Sequence, residues 1–388
     1  MKKSLKMKKC VVVMWSIVML VSCKVNQMTI EVSNPSDIGH EKTTVEIGWA
    51  DIVAKLPAVD PSKIKVMNVK GGYELAYQVI YLGEKTPQML IFQVSLAPKE
   101  SVEILLKEGK PKLHPVAKTF GRFVPERKDD FAWENDRVAF RMYGPALANE
   151  YPSDGVDLWV KKTEKLIVDQ FYNDDLNNKK SYHVDHGEGL DCYKVGHALG
   201  AGGIAPFIND TLWVGNHYVT QSVLDNGPLR TTFKLTYDNL PVGKKIFSKD
   251  LIVSLDAGSQ LNKGIVSFDG DFIAIKVAAG IFLHQDPGNI KTDIVAGFNA
   301  FGEKATSDAG VPAGRNYVAT IIPDEKMIGS LKQQDHLLAL ASYAKGDKFV
   351  YYFGGGWSQW GFPTDDEWFS YVANFAEKLK NPLKVTIK

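Results

Sequence analysis

Val138, Phe140 and Met142 alternate with Arg137, Ala139, Arg141 and Tyr143. Residues two apart share one face of a strand, so this segment has an apolar face and a mostly polar one. The period returns at 231–237, where Phe233, Leu235 and Tyr237 lie opposite Thr232, Lys234 and Thr236. Further β-rich segments stand at 29–33, 43–49, 63–69, 88–96, 101–106, 211–219, 249–255, 272–277, 317–322, 336–343 and 348–353, separated by Gly, Asn, Asp and Pro turns. Many short, half-buried antiparallel strands without a fixed repeat predict a sandwich or barrel, not a propeller or β-helix.

One helix is explicit. Thr364 and Glu367 have capping-box spacing, and Asp365 and Asp366 fill the first turn. Trp368, Tyr371, Val372, Phe375 and Leu379 form an apolar stripe, and Asn381-Pro382 stops the helix. The spacing predicts Asp365–Lys380 lying on a sheet, with Phe375 in the core. A shorter helix is expected at 51–55. Residues 144–190 read as a long polar connection, a kind that is often functional.

The N-terminus reads as an address. Lys2, Lys3, Lys6, Lys8 and Lys9 precede an apolar run from Val11 to Val21 broken only by Ser16. That run is too short for the roughly 20 residues of a spanning helix, and it has the build of a secretory signal. Leu20-Val21-Ser22-Cys23 is similar to a bacterial lipobox, which implies cleavage before Cys23 and acylation of its sulfur; an ordinary signal peptide is the alternative. The expected division is a signal at 1–22, a lipid-anchored linker at 23–28 and one domain from 29 to 388, held at the cell envelope, on the outer membrane or facing the periplasm. The lipid is then the chain's one link to a membrane. Of the three cysteines, Cys10 leaves with the signal and Cys23 takes the lipid, so Cys192 has no partner for a disulfide. Without the five leading lysines the balance is 41 basic to 45 acidic residues, a net of −4. That scattered, mildly acidic charge excludes a nucleic-acid partner.

The densest polar cluster runs from Ser181 to His197 and holds three of the eight histidines. His183 and His186 are candidate acid–base groups beside Tyr193 and Lys194. His183-x-x-His186 with Asp185 and Asp191 is also a metal-ligand pattern, but it lacks the helical His-Glu-x-x-His frame, so no metal site is assigned. A polar surface loop with incidental histidines is the plain alternative. Gly200-Ala201-Gly202-Gly203 has no phosphate-binding lysine after it and reads as tight turns. Trp357 and Trp360 on the Gly354-Gly355-Gly356 segment can stack a sugar ring or cap the core. Trp133 and Glu134 can line a cleft or belong to the core edge and surface. Arg141, Arg230 and Arg315 are candidate carboxylate forks, each also a candidate structural ion pair. No GxSxG elbow, HExxH or kinase signature is present, and no carboxylate pair stands out.

The block Pro125–Pro145, which contains Phe131-Ala132-Trp133-Glu134-Asn135-Asp136, resembles a family of secreted bacterial proteins catalogued as a domain of unknown function. Leu190–Gly203 and Phe353–Phe362 resemble it too, and the resemblance covers nearly the whole chain from about residue 29. It implies a galactose-mutarotase-like β-supersandwich used in carbohydrate degradation. One branch is similar to an oligosaccharide dehydratase acting on non-reducing-end uronic acids of ulvan-type sulfated glycans. Two activities follow as expectations. One is a lyase on an acidic oligosaccharide, with His183 or His186 as base, Tyr193 as acid and an arginine as clamp, needing no redox cofactor. The other is a surface glycan-binding lipoprotein using the tryptophans. An aldose epimerase rests on fold analogy alone.

Replacing Cys23 by Ser is expected to release the protein from membranes or block its maturation. Membrane fractionation checks this, and unchanged partition of a correctly processed variant would refute it.

Overall fold

The computed structural model describes residues 27–150, 152–284 and 288–388. Cys23 and the signal segment lie outside the described residues, so the anchor remains an expectation. Among the described residues, no helix is long and apolar enough to cross a membrane.

The architecture is mainly antiparallel β-sheet with a C-terminal helix, as the alternation predicts. The N-terminal part packs two sheets against each other. One is ordered Lys384–Ile387, Gln27–Ser33, Ser101–Glu108, Ile64–Asn68, Tyr73–Glu74; the other is His40–Gly48, Met89–Leu96, Tyr77–Ile80. Alternate residues such as Ile30, Val45, Phe92, Ile104 and Leu106 fill a core of their own between them. The short helix α1 (Trp49–Lys55) adds Ile52 to that core.

The body is built on an eight-stranded sheet running from Thr220–Asn226 at one edge to Asn289–Asp293 at the other. Two five-stranded sheets cover its inner face. One carries Thr119–Val124, Asp130–Asn135, Val138–Met142, Asp157–Lys161 and Gly189–Asp191 in that spatial order. The other is centred on Ala274–Phe282, between Ala201–Ile208 and His336–Ala344. Phe140, Phe233, Leu251, Val277 and Phe353 meet in the shared core.

The face shared by Ala139 and Arg141 departs from expectation. It is buried, because helix α2 (Val168–Leu176) lies over it with Val168, Phe171 and Tyr172 against Trp159 and Ala139. The polar stretch 144–190 therefore holds both a core strand, Asp157–Lys161, and a helix. The expected strand at 211–219 shortens to Thr211–Leu212.

The glycine run is strand, not loop: Phe349–Trp357 continues through it. A Cβ at Gly354 would stand 2.2 Å from the Gln260 carbonyl oxygen, and one at Gly355 would stand 2.5 Å from that of Tyr317. These glycines let neighbouring strands approach.

Helix α3 (Asp365–Lys380) has the expected bounds and capping box: Glu367 N donates to Thr364 Oγ1 at 3.3 Å and Thr364 N donates to Glu367 Oε2 at 2.9 Å. It covers the outer face of the eight-stranded sheet, meeting Phe298, Ala300, Tyr317 and Ile321. Its innermost residues are Trp368, Phe369, Val372 and Ala376, while Phe375 is half-buried, so the expected core position of Phe375 is corrected. Trp368→Ala is expected to cost about 3–5 kcal/mol, the range for emptying a core aromatic site, and Phe375→Ala less. Denaturant unfolding of both variants measures the difference.

Candidate active site

The His183–His197 segment is held from below by a buried guanidinium. Arg141 and Asp157 are cross-strand partners, and Asp191 stands on the next strand. Arg141 Nε donates to Asp157 Oδ2 at 2.9 Å, Nη2 donates to Asp191 Oδ2 at 2.8 Å, and Nη1 donates to the Tyr182 hydroxyl at 3.2 Å. Burial opposes the charged guanidinium, but Asp157 and Asp191 outweigh it and hold its pKa well above the ordinary value. Burial, and then Asp157, push the Asp191 carboxyl well up against the pull of Arg141. Arg141 is 2% exposed with its donors committed, so it is not free to fork a substrate carboxylate. Its work is to fix the strand from which the histidine segment leaves.

The turn that follows is tight. Asp185 Oδ1 accepts from Gly187 N at 2.8 Å and Gly189 N at 3.3 Å, and Lys162 pairs with the same carboxylate. Gly189 has a φ of +125°, and a Cβ there would lie 2.1 Å from the Val160 carbonyl oxygen. This geometry leaves His186 exposed at the turn and His183 partly exposed beside it.

A chain of polar contacts runs outward from Asp191. His183 Nδ1 lies 3.2 Å from the Asp191 carbonyl oxygen and 3.4 Å from Asp308 Oδ2. Donating Nδ1–H to that carbonyl selects the tautomer in which Nε2 keeps its lone pair. Lys194 Nζ is 3.7 Å from Asp308 Oδ1 and is exposed. The Lys194 carbonyl accepts from His284 Nε2 at 2.7 Å, and His284 Nδ1 is 2.8 Å from Glu303 Oε1. Glu303 is buried on Phe298–Thr306, opposite Asn316, and Asn316 Oδ1 is 3.5 Å from Cys192 Sγ. Beside these groups opens a cleft of about 700 Å³, lined by Phe282–His284 and Lys332–His336. His336 is spent on structure, with Nε2 accepting from Leu199 N at 3.0 Å. A smaller hollow of about 320 Å³ in the N-terminal part contains Lys65 and Glu74, paired with each other at 3.4 Å.

The other candidates fall elsewhere. Tyr193 sits under the segment, 4% exposed, with its ring edge-on to His284 at 5.2 Å. Burial, helped by Glu303, pushes its phenol pKa well up, and the buried hydroxyl is closed to substrate in this conformation. Trp133 and Trp357 are 0% and 1% exposed and cannot stack a sugar. Trp133 Nε1 donates to Asn262 Oδ1 at 2.7 Å and Trp357 Nε1 donates to the Ala313 carbonyl at 2.6 Å, so both indoles are core. Trp360 is partly exposed, with the Arg137 guanidinium 5.3 Å from its ring.

Glu134 is also buried and lines no cleft. It accepts from Lys161 Nζ at 2.6 Å, Ile167 N at 2.9 Å and Val168 N at 2.7 Å, which makes it the anion at the start of α2. Arg230 joins Asp256 in the body, with Nη2 at 2.8 Å, to Glu46 in the N-terminal part. Arg315 is held by Asp365 at 2.6 Å. Both forks are therefore structural. Sequence reasoning missed Asp308, His284 and Glu303. Each is isolated in sequence, and only the sheet topology brings them to the histidine segment.

A family model described as "Domain of unknown function (DUF4861)" matches residues 32–385. The chain belongs to this family. This DUF4861 chain is 32% identical over 317 residues to "Uncharacterized protein P7" of Formosa agariphila, covering 78% of this chain and 79% of that protein. It is also similar to two solved structures from Enterococcus faecalis. One is an alpha-mannosidase, with TM-score 0.49, 8% identity and 94% of this chain covered. The other is a protein of glycosyl hydrolase family 38, with TM-score 0.47, 10% identity and 94% covered. The chain spans about half of each, 46% and 47%.

The buried charges predict a pH effect on stability. Asp130 accepts from the Tyr172 hydroxyl at 3.2 Å and lies 3.6 Å from Arg127 and 3.9 Å from Arg141. Burial outweighs both arginines and raises its pKa to about 6. A raised carboxyl favours the fold while protonated. Its contribution is full below the ordinary value of 3.8 and is lost as pH rises through about 6. Asp130→Asn is expected to flatten the part of the stability slope between pH 4 and 6 that this group supplies. Urea unfolding across that range measures it, and an unchanged slope would refute the assignment.

Proposed function

We propose that this DUF4861 protein is a carbohydrate-active lyase, a dehydratase eliminating water across C4–C5 of a uronic-acid residue in an acidic oligosaccharide. The observation that carries the reading is one surface assembly: His183 oriented through Nδ1, with Asp308 bridging it to the exposed ammonium of Lys194. Elimination requires that the C5 carboxylate be neutralised, because that makes the C5 proton acidic and stabilises the charge that develops. Lys194 supplies the positive charge that the three ion-paired arginines do not. Nε2 of His183 accepts the C5 proton. The electrons of the C5–H bond form the C4–C5 double bond, and the C4–O bond breaks. His186, exposed at the same turn, gives the departing oxygen its proton so that it leaves as water. This replaces Tyr193 in the acid's role, since its hydroxyl is buried. The glycan-binding alternative, which rests on Trp357 and Trp360, loses support with Trp357 in the core and keeps Trp360 as a platform.

Incubation with a panel of oligosaccharides ending in different uronic acids is expected to generate the ultraviolet absorbance of an unsaturated uronate. His183→Ala should lower turnover by ~10²–10⁴ while binding survives, the span typical of losing a positioned base. Lys194→Ala should raise KM and lower kcat together, because the carboxylate is held in the ground state and more tightly as charge develops. Equal product from wild type and a His183→Ala/His186→Ala double variant would remove the histidines from the mechanism. Binding of the panel without any product would favour the glycan-binding reading.

A further inference from the structure

We infer that Glu303 and His284 form a proton-dependent latch that holds the Lys194 segment beside the cleft. Both nitrogens of the His284 ring face acceptors: Glu303 Oε1 at 2.8 Å from Nδ1 and the Lys194 carbonyl oxygen at 2.7 Å from Nε2. A neutral imidazole has one N–H and can satisfy only one acceptor. Closing both contacts requires one proton more than a neutral ring and a carboxylate carry between them. The ring has little freedom to turn away, because Tyr193 and Phe282 pack edge-on against it at 5.2 and 4.9 Å. Glu303 is 2% exposed on the interior of the eight-stranded sheet, so the carboxylate is the fixed end of the latch. The Lys194 carbonyl is the end that can leave, because it belongs to a segment of non-strand backbone.

The charged and titratable groups around the ring, among the described residues, come from three elements. Glu303 comes from Phe298–Thr306, and Lys194 and Tyr193 from the segment after Gly189–Asp191, with Asp308 paired to Lys194. Lys332, Asp335 and His336 line the same cleft from the hairpin Met327–Gln333 and His336–Ala344. Burial lowers the His284 pKa, but Glu303 and the Lys194 carbonyl outweigh it, so the net shift is upward from 6.5. A base raised in this way stabilises the closed state fully below its ordinary value and loses that stabilisation as pH rises through the raised one. Above that point either the Glu303 contact or the Lys194 contact must open. His284 and Glu303 are thus positioning residues, acting on Lys194 without touching substrate. The latch stands whether or not the lyase reading holds, since it concerns the free protein.

Glu303→Gln provides the test. Its amide N–H can donate to Nδ1 of a neutral ring while Nε2–H still donates to the Lys194 carbonyl, so the latch would close without the extra proton. Hydrogen exchange of peptides covering residues 192–199, corrected for intrinsic base catalysis, is to be followed from pH 6 to 9. In wild type it should speed up at least tenfold as His284 deprotonates. In Glu303→Gln it should stay slow and flat. The His284 ring nitrogens in histidine-labelled wild type, assigned with His284→Gln, should both report protonation at pH 6. A neutral His284 ring at pH 6 would overturn the latch, and so would exchange that ignores its titration. An unchanged pH dependence in Glu303→Gln would overturn it as well. If Glu303→Gln does not fold, the wild-type nitrogen titration and exchange profile decide the matter alone.

Discussion

A guanidinium taken out of water must bring its counter-charges with it, and the arrangement around Arg141 follows from that requirement. Asp130, Arg141, Asp157 and Asp191 come from four successive strands of one sheet. A slip of one residue in any pairing would turn that strand's charge to the opposite face, so the cluster specifies register as well as proximity. Losing one partner of such a pair costs about 3–5 kcal/mol, because the remaining charges stay buried without it. The same sheet contains a second buried pair, Lys161–Glu134, whose carboxylate also receives the first amides of α2. Helix α2 and the sheet are thus tied by the amide hydrogen bonds to Glu134 and by the Arg122–Asp169 ion pair as well as by Trp159 and Tyr172, and the histidine segment begins from a rigid base.

How far the sequence was readable follows from the range of the signals. Helix α3 was legible to the residue because its cap, stripe and stop all act within a few residues of one another. The alternation at 137–143 correctly told which residues share a face. It did not reveal that α2 covers the second face, since the cover comes from a segment whose polarity suggested a loop. The tryptophans were ambiguous for a similar reason: an indole on glycine-rich strand looks alike whether the glycines make a platform or let another strand approach. The cluster of His183, His186 and Lys194 was visible as local density. His284 and Glu303 were not, because 90 residues separate His284 from the Lys194 carbonyl it binds and neither has a distinctive neighbour.

The N-terminal part and the body, each with its own core, meet through a small apolar cluster of Ile80, Ile91 and Leu229 and through backbone-directed polar contacts beside it. Gln78 accepts from Leu229 N and Arg230 N at 3.0 and 2.8 Å and donates to the Arg230 carbonyl at 2.9 Å. Asp225 accepts from Tyr81 N and Leu82 N at 2.7 Å each. Contacts of this type set orientation more than they bury area.

The pairing of Lys384–Ile387 with Gln27–Ser33 has a consequence for how the chain reaches its folded state. Ile30 faces Ile387 across that ladder, so one of the first strands described is completed by the last. Before Lys384–Ile387 joins, Gln27–Ser33 is the edge strand of the N-terminal sheet; afterwards Lys384–Ile387 takes that place. An open edge invites pairing with other chains, and closing so long a loop slows the final step. Gln27–Ser33 is thus open to other chains for as long as that long-range pairing takes to form.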